Sequence, residues 1–184
     1  MTKVAFLDRD GVINQDRGYV HKIKDFQFTH DCIEGLRVLK NWNYQLIIVT
    51  NQSGIGRGYY SEADYQYLTR WYRDRLKRQG VDILDILHCP HTPEVECLCR
   101  KPQPGLFMQA QEKYPHLDMV SALMFGDKLS DLEAANRAGV KRLYLISNDP
   151  TLTIEAMEDS GGKVSPVKII RGLSELQHID PETI

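Results

Sequence analysis

Short apolar runs alternate with amphipathic segments along the whole chain. The runs are rich in aliphatic and β-branched residues, which is typical of strands buried inside a parallel sheet. They predict strands at Val4–Leu7, Gln45–Thr50, Ile83–His88, Ala122–Gly126 and Arg142–Ser147, with a weaker one at Val167–Ile170. Because strands alternate with helical segments, the pattern favours a parallel sheet with helices on both faces.

The segments between the strands repeat apolar residues at helical spacing. They predict helices at Cys32–Trp42, Ser61–Gln79, Pro104–Tyr114 and Leu129–Ala138. Three helix ends carry suitable residues, since Ser61 can cap an N-terminus, Pro104 suits a first turn and Gly139 suits a C-terminal cap. Cys32 stands alone on its helix, so we expect it to be a small buried side chain.

These elements predict one α/β domain over residues 1–184, built as a three-layer, Rossmann-like parallel sheet. The chain has no repeat, low-complexity tract or linker that would mark a second domain. About 30 residues separate Asn14 from the second strand, and we assign them to one helix and a short edge strand. That leaves no room for a large cap domain.

Composition narrows the classes of partner. The chain has 184 residues, 42% of them hydrophobic and 26% charged, and its net charge of -2 argues against a basic nucleic-acid-binding face. No apolar stretch approaches the roughly 20 residues of a membrane span. The run Val4–Leu7 leads straight into Asp8 and Arg9, unlike a signal peptide. We expect a cytoplasmic monomer whose four cysteines are reduced or metal-bound.

Two aspartates follow the first strand directly. In extended backbone, Asp8 and Asp10 point the same way, and Gly11 then allows a sharp turn. Carboxylates this close repel each other unless a cation or a shared proton compensates. One interpretation is a divalent metal with one aspartate as nucleophile and the other as proton shuttle. The alternative is a loop with two solvated acids.

Other polar residues also lie at strand ends, where open parallel sheets bind their ligands. Thr50 and Asn51 follow the second strand, and Asp127 and Lys128 follow the fourth. Lys101 lies in the sequence Arg100-Lys101-Pro102, in the long segment between the third and fourth strands.

The order and spacing of Asp8, Asp10, Thr50, Lys101 and Asp127 resemble the haloacid dehalogenase (HAD) superfamily of aspartate-nucleophile phosphatases over essentially the whole chain. The resemblance implies that Asp8 takes the phosphoryl group and that Asp10 protonates the leaving oxygen and then activates water. It implies that Mg²⁺ is held by Asp8, Asp127 and the backbone carbonyl of Asp10. Thr50 and Lys101 would stabilise the charge on the transferring group.

Several neighbouring residues have supporting or alternative roles. We expect Arg9 to be structural and to point away from the aspartates. Asp131 could orient Lys128 or a metal-bound water, or it could be a solvated acid on the first turn of its helix. The glycine-rich segment Gly54–Gly58 lacks the spacing of a P-loop, so we interpret it as a flexible loop at the site mouth. Arg57 within that loop could contact a second phosphate.

Three of the four cysteines cluster between residues 89 and 99. Cys89, His91, Cys97 and Cys99 supply three thiols and one imidazole, a donor set that suits a closed, structural zinc site. The alternative is a chance cluster of surface cysteines. Because Cys99 directly precedes Arg100 and Lys101, we expect the zinc loop to fix both cations beside the site.

The zinc loop resembles two branches of the superfamily, the heptose 1,7-bisphosphate 7-phosphatases and the histidinol-phosphate phosphatases. Two segments, 16–21 and 50–58, resemble the heptose branch more closely. That resemblance implies a small sugar bisphosphate as substrate, with either anomer open, and a role in nucleotide-heptose synthesis for lipopolysaccharide or another surface glycan. It implies substrate contacts at Asp16, Arg17, Gly18, Tyr19, Asn51, Gln52, Ser53, Arg100 and Lys128. Histidinol phosphate hydrolysis, phosphoryl transfer to a second substrate, and a non-catalytic zinc-bearing interaction protein remain alternatives.

Overall fold

A computed structural model describes residues 1–149, 151–152, 167–180 and 184. Its centre is a six-stranded sheet whose paired strands all run parallel. The strands are β1 (Thr2–Leu7), β2 (Gln45–Asn51), β3 (Asp85–Cys89), β4 (Leu117–Gly126), β5 (Arg142–Ile146) and β6 (Val167–Ile170). They lie in the order β3-β2-β1-β4-β5-β6, so β1 and β4 are central neighbours.

Within the described residues, five α-helices connect or cover the strands: α1 (Cys32–Asn41), α2 (Ser53–Gly56), α3 (Glu62–Arg78), α4 (Gly105–Lys113) and α5 (Leu129–Arg137). Short 3₁₀ helices lie at Ile23–Asp25 and Leu173–His178. Ser61 caps α3 as predicted, in a capping box with Asp64. In the part of the chain that the structure describes, no helix is long and apolar enough to cross a bilayer.

The sheet separates two apolar cores. One packs α1, α3 and the 3₁₀ helix Leu173–His178 against one face, and Leu36, Leu68 and Leu176 are among its buried side chains. The other packs α4 and α5 against the opposite face, with Phe107 and Leu132 among its members. A strand covered on both faces has apolar side chains in both directions, which explains the continuous apolar run of β1. The predicted three-layer architecture is confirmed.

Three local predictions were wrong. β4 begins five residues before the predicted Ala122, because polar residues interrupt its first half, where its register with β1 shifts. The segment between Asn14 and α1 forms no strand of the sheet in the described structure; Asn14 instead makes an isolated bridge to Phe28. Part of the supposed flexible loop Gly54–Gly58 belongs to α2, whose Gly56 amide donates to the Pro90 carbonyl at 2.9 Å.

Candidate active site

The central strand pair brings two of the predicted metal ligands together. Asp8 follows β1 and Asp127 follows β4, and the Asp8 amide donates to the Phe125 carbonyl of the adjacent strand at 2.9 Å. Gly11 then turns the chain with a φ of 89°. A Cβ at Gly11 would collide with the Asp127 carboxylate, so only glycine fits this turn.

Lys101 lies at the centre of the buried carboxylates. Its ammonium is 2.7 Å from an oxygen of Asp8 and 2.7 Å from an oxygen of Asp131, and it donates to the Val49 carbonyl at 2.8 Å. Its main chain is held by Asn51, whose side-chain amide bonds both the Lys101 amide and the Lys101 carbonyl. Three contacts therefore fix the ammonium, and two more fix the main chain that carries it.

The structure excludes one interpretation of Asp131 and pairs it with a residue that the sequence did not suggest. Its side chain is not a solvated acid, because the residue is only 2% exposed. One carboxylate oxygen pairs with the Lys101 ammonium and the other accepts from the Lys128 amide at 3.1 Å. Asp131 therefore anchors Lys101 at the start of α5.

Burial perturbs the acids of this cluster. It raises the pKa of Asp8 to about 7, although the nearby Lys101 ammonium opposes the change. Burial likewise raises the pKa of Asp127 to about 6, against the opposing charge of Lys128. For Lys101, burial disfavours the charge, but the carboxylates of Asp131 and Asp8 outweigh it and raise the pKa. Strongly perturbed groups that cluster in this way are typical of functional sites.

The Asp10 side chain is held by three neighbours rather than by the buried cluster. Arg9 donates to both carboxylate oxygens, at 3.0 and 2.9 Å, and Asn14 and Gln52 each donate at 3.0 Å. The expectation that Arg9 points away was wrong, since its buried guanidinium folds back onto Asp10 and also donates to the Val20 carbonyl. A structural role for Arg9 agrees with this geometry.

A cleft of about 480 Å³ opens above these groups. It is lined by most of the predicted substrate contacts: Asp16, Gly18, Tyr19, Asn51, Gln52, Ser53, Arg100 and Lys128. Arg17 is not among the lining residues, because its guanidinium bonds the side chains of Gln15 and Gln27 on the surface. Thr50 is buried beneath the cleft, where its hydroxyl accepts from Gln52 at 2.9 Å.

Two of the lining cations have partners of their own. Lys128 pairs with Asp16 at 3.0 Å across 112 residues of sequence. Arg100 donates to the carbonyl of His91 at 3.2 Å. Arg57 is exposed and does not line the cleft.

The donor atoms of the buried cluster suit a hard divalent cation. Oxygens of Asp8, Asp127 and Asp131 lie within 4.8 Å of one another. Oδ1 of Asp127 is buried and has no hydrogen-bond partner among the described residues, although a buried carboxylate oxygen normally has one. Both oxygens of Asp131 are already engaged, whereas Asp127 has one to offer. Asp8 and Asp127 therefore fit as ligands better than Asp131 does.

The cysteine cluster also assembles. Sγ atoms of Cys89, Cys97 and Cys99 lie 2.9 to 3.6 Å apart, and Nδ1 of His91 is 3.3 Å from Cys99 and 3.5 Å from Cys89. The four donor atoms lie within 4.8 Å of one another, a compact set that fits a single tetrahedral ion. Cys32 is buried on α1 with a free thiol, as expected.

Two residues of the site were not predicted from the sequence. Asn14 holds Asp10, and Tyr60 donates to Gln52 at 2.7 Å. Asn14 lies four residues after Asp10, but only the turn at Gly11 brings the two together. Tyr60 gave no signal in the sequence beyond its closeness to the glycine-rich segment.

Comparison with known proteins agrees with this geometry. A family model described as HAD-hydrolase-like matches residues 98–174. A D-glycero-alpha-D-manno-heptose-1,7-bisphosphate 7-phosphatase of Photorhabdus laumondii is 54% identical over 151 residues, covering 78% of this chain and 82% of that protein. A second protein of the same organism, named as the beta-anomer phosphatase, is 44% identical over 159 residues, covering 83% and 84%.

A solved structure extends the similarity to the fold. The D,D-heptose 1,7-bisphosphate phosphatase of B. bronchiseptica, crystallised with magnesium and phosphate, superposes with a TM-score of 0.81 at 27% identity and covers 97% of both chains. The 54% identity to the alpha-anomer phosphatase, over 82% of that protein, reaches well beyond a shared fold. The chain belongs to the HAD-like hydrolases, in the family of the heptose-1,7-bisphosphate 7-phosphatases.

Proposed function

We propose that this protein hydrolyses the C7 phosphate of D-glycero-D-manno-heptose 1,7-bisphosphate, releasing heptose 1-phosphate for nucleotide-heptose synthesis. The observation that carries the proposal is the distribution of charge in one cleft. A buried nucleophile candidate, Asp8, contacts the buried cation Lys101, while the more accessible cations Arg100 and Lys128 line the same cleft. Such a cleft suits a small ligand with two phosphates, and the names of the relatives point to the same substrate.

The reaction proceeds in two balanced steps. In the first, an Asp8 oxygen attacks phosphorus, the bond from phosphorus to the C7 oxygen breaks, and Asp10 gives its proton to that oxygen. In the second, water attacks the aspartyl phosphate and loses a proton to Asp10, which frees phosphate and restores both acids. The hydrogen bonds from Arg9, Asn14 and Gln52 hold the Asp10 carboxylate in a fixed position for this exchange.

Positioning and charge account for most of the catalysis of phosphoryl transfer. Lys101 offers positive charge beside Asp8, and its contacts with Asp131 and Asn51 keep it there without reorganisation. The Thr50 hydroxyl accepts from Gln52, which leaves its own proton for an oxygen of the transferring group. Preorganised donors of this kind are each worth about 10²–10³ in rate.

We propose that Mg²⁺ binds at Asp8, Asp127 and the backbone carbonyl of Asp10. Support comes from the partnerless buried oxygen of Asp127 and from the magnesium in the B. bronchiseptica structure. When bound, the ion offsets the repulsion between an anionic nucleophile and an anionic phosphate.

We propose that the second phosphate is gripped by Arg100, with Lys128 and Asp16 beside the sugar. Guanidinium geometry favours bidentate contact with phosphate, and Arg100 lines the cleft beside Lys101. The zinc loop supports Arg100 directly, because the Arg100 guanidinium bonds the carbonyl of the zinc-ligand candidate His91. We propose a structural zinc at Cys89, His91, Cys97 and Cys99.

The relatives also favour one anomer. In the same organism, the relative named for the alpha anomer is 54% identical, whereas the one named for the beta anomer is 44% identical. We therefore propose that the alpha anomer is the preferred substrate. The monomeric state and the cytoplasmic location stay predictions.

A substrate panel tests the proposal. Phosphate release should be measured on both heptose 1,7-bisphosphate anomers, on histidinol phosphate and on p-nitrophenyl phosphate. We expect the alpha bisphosphate to have the highest kcat/KM, with phosphate lost from C7. A preference for histidinol phosphate would reject the heptose assignment, and release only in the presence of an acceptor alcohol would indicate a phosphotransferase.

A further inference from the structure

The Tyr60 ring packs against the glycine-rich segment that follows β2. A Cβ at Gly54 would collide with the Tyr60 ring, so the ring occupies space that only glycine leaves open. Tyr60 is 6% exposed, and the His21 ring stacks on it with centroids 4.7 Å apart and planes 8° apart. This glycine-rich segment therefore fixes an aromatic side chain beside the cleft.

Among the described residues, the Tyr60 hydroxyl hydrogen-bonds one side chain, that of Gln52. It donates to Gln52 Oε1 at 2.7 Å, and Gln52 is itself 2% exposed. Burial raises the pKa of Tyr60 to about 12, so the hydroxyl keeps its proton and serves as a donor at neutral pH. A buried amide with one end held in this way has lost its freedom to rotate by half a turn.

The other end of Gln52 contacts two residues of the proposed reaction. Its Nε2 donates to Oδ2 of Asp10 at 3.0 Å and to the Thr50 hydroxyl oxygen at 2.9 Å. An ionised carboxylate accepts hydrogen bonds and cannot donate, so the amide nitrogen has to face Asp10 once Asp10 has given up its proton. With that nitrogen also bonded to the Thr50 oxygen, the Thr50 proton stays available to the phosphoryl group.

We propose that Tyr60 is a positioning residue that sets the orientation of the Gln52 amide, and through it the Asp10 carboxylate and the Thr50 proton. The inference rests on the proposed function, in which Asp10 moves the leaving-group proton. Without the hydroxyl, Gln52 can turn over. Its oxygen then faces the Asp10 carboxylate, which repels it, and accepts the proton that Thr50 would otherwise give to the phosphoryl group.

Tyr60→Phe tests the idea, because it removes the hydroxyl and keeps the ring in place. We expect kcat on the heptose bisphosphate to fall about three- to tenfold, the effect of one hydrogen bond, with KM nearly unchanged. The loss on p-nitrophenyl phosphate should be smaller, because its leaving group needs no proton. Tyr67→Phe is the matched control, since Tyr67 is 61% exposed on α3, and it should leave both activities unchanged.

A double-mutant cycle separates positioning from packing. Gln52→Met keeps the shape of the side chain and removes both ends of the amide. In that background, Tyr60→Phe should change kcat less than twofold or so, since the hydroxyl has nothing left to orient. Equal fractional losses of Tyr60→Phe on the two esters, or additive losses in the cycle, would overturn the proposal.

Failure of the proposed function would look different. If the wild-type protein does not hydrolyse the heptose bisphosphate, the substrate assignment is rejected, but the proposed role of Tyr60 is not. The comparison would then use a simple alkyl phosphate in place of the bisphosphate, and the same two criteria would decide.

Discussion

The carboxylate cluster at the strand ends and the proposed zinc loop (residues 89–99) both gather side chains that can bind a metal, yet they are held in different ways. Asp8 follows β1, whereas Asp127 and Asp131 lie more than 100 residues later at the junction of β4 and α5, and Lys101 joins them from a third part of the chain. The loop cluster is local in sequence, partly exposed and built from thiols and an imidazole packed against one another. The first cluster has its own cation and the sheet to hold it, so its geometry does not depend on a metal. With the proposed zinc bound, the second cluster would take its rigidity from the ion.

This difference changes one expectation about the loop. The sequence suggested that zinc fixes both Arg100 and Lys101. The structure gives Lys101 separate anchors at Asn51, Asp8, Asp131 and Val49, whereas the contact of the Arg100 side chain is with the loop itself. Mutations in the loop should therefore weaken substrate binding more than they slow the phosphoryl-transfer step.

The largest effect should come from Asp8→Asn in the strand-end cluster. An amide cannot accept the phosphoryl group, so steady-state phosphate release should fall to about 1% of wild type or less. The fold should persist, because the main chain at this position stays bonded to Phe125. Circular dichroism and a thermal midpoint near that of the wild type would serve as the folding control. Turnover at a substantial fraction of wild type would remove Asp8 as nucleophile.

The adjacent cations should separate kinetically. Lys101→Ala should lower kcat on every ester by about 10²–10³, because it removes stabilisation of the transferring group. Arg100→Ala should lower kcat/KM on the bisphosphate by about 1.5–3 kcal/mol, the range for a hydrogen bond to a charged group, and scarcely affect p-nitrophenyl phosphate. If Arg100→Ala reduces activity on both substrates equally, Arg100 does not hold a second phosphate.

Cys97→Ser tests the other cluster, the cysteines and histidine of the loop. Elemental analysis of dialysed wild type should give about one zinc per chain and little magnesium, and the variant should lose zinc because the site would lack one of its four ligands. We expect about a tenfold loss of kcat/KM on the bisphosphate and a smaller loss on p-nitrophenyl phosphate. Cys32→Ser controls for the loss of a thiol outside the cluster. Full zinc occupancy in Cys97→Ser would mean that the ligand set is wrong.

The smallest effect concerns pH and magnesium. The pKa values of Asp8 and Asp127, about 7 and about 6, lie above the usual 3.8 in the metal-free fold. Raised carboxyl pKa values favour folding at low pH, and this contribution is lost as pH rises through about 4 to 7. Magnesium-free protein should therefore melt a few degrees lower at about pH 8 than at about pH 5.

Saturating magnesium should offset that loss, so the shift of the thermal midpoint on adding the ion should be larger at high pH. Dialysis, rather than a chelator, keeps zinc in its loop during the comparison. Asp127→Asn, which lacks the carboxylate at this position, should show a much reduced response. An equal magnesium shift at both pH values would argue against metal binding at these two acids.

The sequence by itself determined the architecture and the chemistry of the two clusters. Apolar runs that continue without alternation gave six parallel strands, because a strand covered on both faces needs apolar side chains in both directions. The carboxylates at strand ends and the close spacing of Cys and His could be recognised in the sequence, because each depends on local chain geometry. The order and spacing of the site residues then carried the family resemblance, which predicted a role for each of them.

The tertiary structure alone decided how those residues are held. From the sequence, Asp131 could be either solvated or buried. In the fold it is buried, because Lys101 lies between Asp131 and Asp8, and Lys101 and Asp8 are 93 residues apart in sequence. Arg17 lies outside the cleft because its guanidinium donates hydrogen bonds to two glutamine side chains on the surface. Tyr60 joined the site because Gly54 leaves space for its ring above Gln52. Such contacts join residues that carry no periodic or spacing signal, so only the packed chain can bring them together.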